Sequence, residues 1–193
     1  MEWLNFNLFA LSSIAKNAFL LSDKIKSDKT MLCDTYYSGA GHLESYQSGA
    51  KQLRKGFASH LSSGDTNAAF YCATRAIHFS LISAEKDLTS SLKEIDYYLR
   101  LLKTYKSELA MEFILFYRET VSTLIDRGER YGIETNSRQE PEPGSTLLEV
   151  FYFHAVLRNF WLGYTERCHY FAKKSFAFSK QASAFTFHFY YGK

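Results

Sequence analysis

The sequence predicts an all-α protein built from antiparallel helix pairs, with an irregular helical bundle as the alternative. Three observations carry that prediction. Apolar residues recur at steps of three and four along most of the chain, the period of a helix face. Proline is confined to Pro141 and Pro143, so nothing forbids helix over the first 140 residues. Glycine stands at the two sharpest breaks, Gly64 and Gly163, where a helix can end in the left-handed conformation.

The elements follow in order. Residues 3–25 place Leu4, Leu8, Leu11, Ala15, Ala18, Leu21 and Ile25 on one helix face, and Lys26 to Thr30 break it. A short helix is expected over 31–38, before the loose stretch Ser38-Gly39-Ala40-Gly41. The next helix is expected over 42–62, with Leu43, Tyr46, Ala50, Leu53, Phe57 and Leu61 as its stripe. Gly64 ends it, and Asp65 caps its successor by accepting backbone N–H bonds. That successor opens with small residues, Ala68, Ala69, Cys72, Ala73 and Ala76. Small side chains let two helices approach closely, so the corner reads as a tight hairpin.

A third helix follows Ser83. Leu88, Leu92, Ile95, Leu99 and Leu102 mark its buried face, and Lys86, Asp87, Lys93 and Glu94 its wet side. After a brief turn at 106–109, a fourth helix runs from Glu108 to Arg127, with Leu109, Phe113, Phe116, Tyr117, Thr120 and Leu124 inward. Residues 128–144 hold both prolines and many charges, and they are longer than an ordinary helix connection; a flexible loop is expected there. Helix resumes at Ser145 or Thr146, with Leu148, Phe151, Ala155 and Phe160 inward, and stops near Leu162. After Gly163 the last helix starts at Thr165 and carries Cys168, Phe171, Ala172, Ser175, Phe178 and Ala182. Phe185, Phe187 and Phe189 then alternate with Thr186 and His188. A continuing helix is favoured over a strand there, because the preceding period is helical.

Composition bounds the function. With 193 residues the chain suits one domain or a short array of repeats. A net charge of +3 is too weak for a nucleic-acid partner, and Lys24, Lys26 and Lys29 read as a solvated helix end. Cys33, Cys72 and Cys168 are odd in number and widely spaced, which argues against a disulfide framework or zinc knuckle and for a reducing, cytoplasmic setting. No apolar run reaches the ~18 residues of a membrane span. The N-terminus carries Glu2 in place of a basic region, which argues against a signal peptide.

Two stretches, "GFASHLSSGDTNAAFYCATRAI" and "FWLGYTERCHYFAKKSFAFSK", resemble tetratricopeptide-type helix pairs. Each reads aromatic, Leu, Gly at a corner, then a small residue. From Gly64 to Gly163 is 99 residues, far beyond that family's period of about 34, so the repeats are degenerate or long. Residues 34–106 are further similar to the helical-repeat region of very large signalling proteins. Those carry a kinase-like head, a STAND-type ATPase, a superhelix and a histidine-kinase or cyclase output. The resemblance rests on helix order and on the Gly64-Asp65 corner. It implies a tetratricopeptide-like superhelix acting as a scaffold segment, and it supplies no catalytic residue. Kinase motifs and a GxxxxGK[ST] phosphate loop are missing, so the chain is expected to be a fragment or a small relative of such proteins.

Candidate chemistry is sparse. Glu166 and His169 form one Glu-x-x-His, where a di-iron bundle needs two. Glu108 and Glu112 lie one turn apart and read as wet surface. His60 has Ser59, Ser62, Ser63 and Asp65 beside it, but neighbours at a helix end do not converge on one substrate atom, so capping is the better account. His78, His154 and His188 are lone histidines among apolar residues. Ser38 to Gly41 lack the preceding strand of a phosphate loop. The aromatics fall at helical spacing, which favours core packing over base stacking.

The expected protein is therefore a single helical-repeat domain over 1–193. It is read as a non-catalytic scaffold for protein–protein interaction or intramolecular relay in signal transduction, without metal or cofactor. The alternative is a small helical-bundle enzyme or cofactor-binding protein. The expected partner is a protein or an adjacent domain of a longer chain. Self-association is expected through the C-terminal aromatic helix, where Phe171, Phe178, Phe185 and Phe189 share a face.

Overall fold

A computed structural model describes residue 17 and residues 45–126, 140–142 and 145–181. The expectations over 3–25, 31–38 and 182–193, and all of the 128–144 loop except 140–142, lie outside them. The chain divides into two compact units, Met1–Ala110 and Met111–Lys193. Among the described residues there are six helices and no strand.

The first unit contains α1 (Tyr46–Ser62), α2 (Thr66–Ile82) and α3 (Leu88–Tyr105). Each has an N-cap that its sequence supplies. The Ser45, Asp65 and Asp87 side chains accept from the N–H groups of Ser48, Ala68 and Ser90. The small-residue stripe does what its sizes dictate: Ala69, Cys72, Ala73 and Ala76 are fully buried, and α1 packs along α2 over much of its length. Phe57 meets Phe70 and Tyr98, so one ring of α1 ties α2 to α3. The contact of α2 with α3 is much lighter.

The second unit contains nearly all of α4 (Glu108–Ile125), with α5 (Thr146–Trp161) and α6 (Thr165–Gln181). Here α5 and α6 form the extensive pair. Phe116, Leu148, Phe151 and Tyr152 make the core, with Leu147, Val150 and Phe171 packed against it. Extensive contact within pairs and light contact beside them describes discrete helical hairpins rather than a continuous superhelix.

Four corners share one backbone device; the fourth follows left-handed Lys106, where Ser107 donates its N–H to Leu102 at 3.3 Å. Asp65, Glu85 and Tyr164 donate their N–H back to His60, Ser80 and Asn159, at 2.9, 3.1 and 2.8 Å. The residue before each donor is left-handed: Gly64 at φ +82°, Ala84 at +48° and Gly163 at +77°. This is the Schellman closure, which satisfies carbonyls orphaned at a helix end. The accepting residues His60, Ser80 and Asn159 are all buried and polar. At Gly64 an added Cβ would meet open space, so only the positive φ opposes a side chain. Gly64→Val is expected to lose about 1–3 kcal/mol of unfolding free energy in a urea titration. An unchanged midpoint and slope would mean that Gly64 is not left-handed in solution.

Five side chains depart from their expected faces, the first being Tyr46, 39% exposed in the first turn of α1 with its ring edge-on to Phe79. Leu109 is 60% exposed, because it lies in the first turn of α4, before the core stretch from Ile114 to Val121. Phe160 is 66% exposed. Five residues past Ala155, it is turned about 140° away from the buried face, and Arg158 and Asn159 occupy the inward positions instead. Glu94 and Lys86 are half-buried rather than wet, since Arg54 from α1 draws the acid into an ion-pair network.

Candidate functional site

The first unit concentrates its charge where α1 crosses the start of α3. The Arg54 guanidinium donates to both Glu94 oxygens, at 2.7 and 3.2 Å, and to both Glu85 oxygens at 3.0 Å. Lys86 donates to Glu94 at 2.7 Å. Burial raises the Glu94 pKa, but hydrogen bonds from Arg54 and then Lys86 outweigh it, leaving the carboxyl below its ordinary value. Burial also opposes the charge on Arg54, and Glu94 and Glu85 more than restore it. Tyr98 is pushed upward, first by burial and then by the Glu94 charge. Two cations thus face two anions, and the bidentate geometry fixes α1 against the α2–α3 corner. This is a structural clasp.

The second unit buries its polar groups between α4 and α5. Thr120 and His154 are fully buried, and the Thr120 hydroxyl lies 2.9 Å from His154 Nδ1. The His154 ring is stacked on Phe116 and edge-on to Tyr117. One turn on, Arg158 donates to Glu119 at 2.6 Å, with side chains 2% and 18% exposed. Asn159 donates to the Ala155 carbonyl at 2.6 Å. Adjacent residues on α4 therefore meet residues four apart on α5, which pins the register of the two helices.

The inward face of α5 mixes apolar residues, Leu148, Phe151, Tyr152 and Ala155, with buried polar ones. His154, Arg158 and Asn159 face the core, while Phe153, Val156, Leu157, Phe160 and Trp161 occupy the other side. Those five are spaced i, i+3, i+4, i+7 and i+8, the pattern of an apolar helix stripe. The first three are half-buried, and Phe160 and Trp161 are 66% and 60% exposed.

A third group lies at the far edge of α5 and α6. Glu140 accepts from the Tyr152 hydroxyl and from Lys174, the latter at 3.1 and 3.3 Å. The hydrogen bond from Tyr152, and then the one from Lys174, hold Glu140 below the ordinary carboxyl value. Tyr152 is raised to about 12 by burial and then by Glu140. Lys174 is raised by hydrogen bonding to Tyr170 and then to Glu140. Glu140 thereby ties the end of the expected loop to both helices.

The other candidates stay apart. Glu166 and His169 are exposed in the first turns of α6. Glu108 is exposed and Glu112 half-buried. His60 is buried with its Nδ1 3.7 Å from an Asp65 oxygen, while the other Asp65 oxygen caps α2 and the Ser63 hydroxyl donates to the His60 carbonyl. That is capping, as expected. His78 is buried, and burial followed by the Arg75 charge lowers its pKa to about 3. Ser38 to Gly41, His188 and the Lys24–Lys29 cluster lie outside the described residues. Among the described residues, no three His, Cys, Asp or Glu side chains gather to hold a metal ion, and no helix is long and apolar enough to cross a membrane.

Sequence reasoning set His154 among apolar residues but missed Glu119 and Arg158. A signal was present: an arginine four residues after a histidine, inside a largely apolar helix, has to find an acid. Comparison with known proteins returned no matching family model, curated protein or solved structure.

Proposed function

We propose that this chain is a small, non-catalytic helical-bundle binding protein whose partner is an amphipathic helix of another protein, taken on the outer face of α5. One observation carries the reading: α5 has a second apolar stripe, Phe153, Val156, Leu157, Phe160 and Trp161, on the side away from its core. A stripe of that spacing is the surface on which another helix packs ridges into grooves. Discrete hairpins support a bundle, the architecture of the alternative reading, over a repeat superhelix. The roles of signalling relay and of segment in a larger ATPase or sensor kinase are finer expectations on which this proposal does not depend.

The test is a displayed library of amphipathic helical peptides, sorted on this chain and counter-sorted on Phe160→Ser/Trp161→Ser. Both residues are exposed, so the variant should keep its helical circular dichroism. Micromolar binders that lose about thirtyfold or more in affinity on the variant are expected, since truncated aromatic anchors each cost over about 1 kcal/mol. Peptides that bind both chains equally would refute the site.

The second reading, a cofactor-binding or enzymatic bundle, draws on the Thr120, His154, Glu119 and Arg158 cluster. A thermal-shift screen with flavin, nicotinamide, haem and pyridoxal cofactors separates the two. A rise of several degrees with one of them would favour this second reading.

A further inference from the structure

Two tyrosine rings and a carboxylate converge on one ammonium in the second unit. Lys174 Nζ lies 5.8 Å from the Tyr152 ring centroid and 5.3 Å from that of Tyr170. Glu140 stands on a third side, 3.1 Å away. The three groups come from different parts of the chain: Glu140 precedes α5, Tyr152 sits on α5, and Tyr170 on α6. Aromatic faces within about 6 Å plus a carboxylate form the donor set of a cage for organic ammonium groups. The outer side is open to water, with the Lys174 and Glu140 side chains 36% and 43% exposed and Tyr170 54% exposed, while Tyr152 is the buried wall, 6% exposed.

Lys174 is an imperfect occupant. A primary ammonium is compact and strongly hydrated, and it prefers water and carboxylate to ring faces. A quaternary ammonium has no N–H to satisfy and is drawn to aromatic faces. Because Lys174 is over a third exposed, it can swing into water and keep its charge solvated.

We propose that Tyr152, Tyr170 and Glu140 form a binding site for a small quaternary ammonium compound, and that Lys174 is an internal competitor which holds the site closed. The site is separate from the α5 stripe, so either can fail without the other.

Choline chloride serves as the probe, titrated by calorimetry into the full chain, with sodium chloride as the ionic-strength control. The wild type is expected to bind weakly. Lys174→Ser should bind at least tenfold more tightly, because the competing ammonium is gone. Adding Tyr170→Ala or Glu140→Gln to Lys174→Ser should abolish that gain. Tyr170 and Glu140 are exposed, and an unchanged melting temperature in the double variants would show that the fold persists. The proposal fails if Lys174→Ser binds choline no better than wild type, or if the gain survives Tyr170→Ala. In the first case, Lys174 is only a clasp between α6 and residue 140.

Discussion

Acidification from pH 7 to pH 5 is expected to remove about 2 kcal/mol of stability through His78 alone, and to pH 4 about 3 kcal/mol. The His78 side chain is buried in α2, and its pKa falls from 6.5 to about 3. Desolvation disfavours the charged ring, and Arg75 one turn away adds repulsion. The folded state therefore keeps the ring neutral, while the unfolded chain takes up a proton below pH 6.5. The stability is fully present above pH 6.5 and is lost as pH falls toward 3. Glu94 and Glu140 add losses of the same sign, since their folded values are depressed too. Theirs begin only as pH falls through the ordinary carboxyl value of 4.5, so the window from 6.5 to 5 isolates histidine. Urea denaturation at pH 7, 6 and 5 should show the wild type weakening and His78→Leu weakening by about 2 kcal/mol less. Parallel pH profiles for the two chains would place His78 in contact with water.

Glu119→Ala is expected to be the most damaging single change at neutral pH, at about 3–5 kcal/mol, the usual loss when one member of a buried ion pair is removed. The Arg158 guanidinium is 2% exposed and cannot reach water where it stands. Arg158→Leu should cost less, because Glu119 is 18% exposed and can rehydrate. The double change Glu119→Leu/Arg158→Leu should recover most of the loss, since an apolar pair of similar volume often replaces a buried ion pair without penalty. Such strong non-additivity is read from a double-mutant cycle in chemical denaturation. Additive losses would show that the two side chains do not depend on each other. With losses of this size, Glu119→Ala should sit close to unfolding at 37 °C, given typical domain stabilities of about 5–15 kcal/mol.

The helices were legible because their signals are local. Ser45, Asp65, Asp87 and Ser145 each cap the helix that starts at the next residue. The expected starts after Gly64, Ser83 and Gly163 agree with the observed ones to within a few residues. The Gly64 and Gly163 corners were legible for the same reason, since few residues other than glycine adopt positive φ cheaply. Ala84 and Lys106 do adopt it, at +48° and +54°, and neither could be read in advance. At those corners the carbonyls of Ser80 and Leu102 are closed by Glu85 and Ser107 without glycine's help.

Among the described residues, what the sequence by itself determined is the six helices, most of their caps and the two glycine corners, because each depends on residues within one or two turns. What only the tertiary structure decided is which polar side chains go inside. Arg54 finds Glu94 40 residues away, and Arg158 finds Glu119 39 residues away. No local period encodes such pairings. A stripe of apolar residues shows that a helix has a buried face, but α5 is apolar on nearly every side. Its buried face was chosen by the acid and hydroxyl that α4 presents, Glu119 and Thr120, because a buried arginine without a carboxylate costs more than an exposed Phe160 and Trp161.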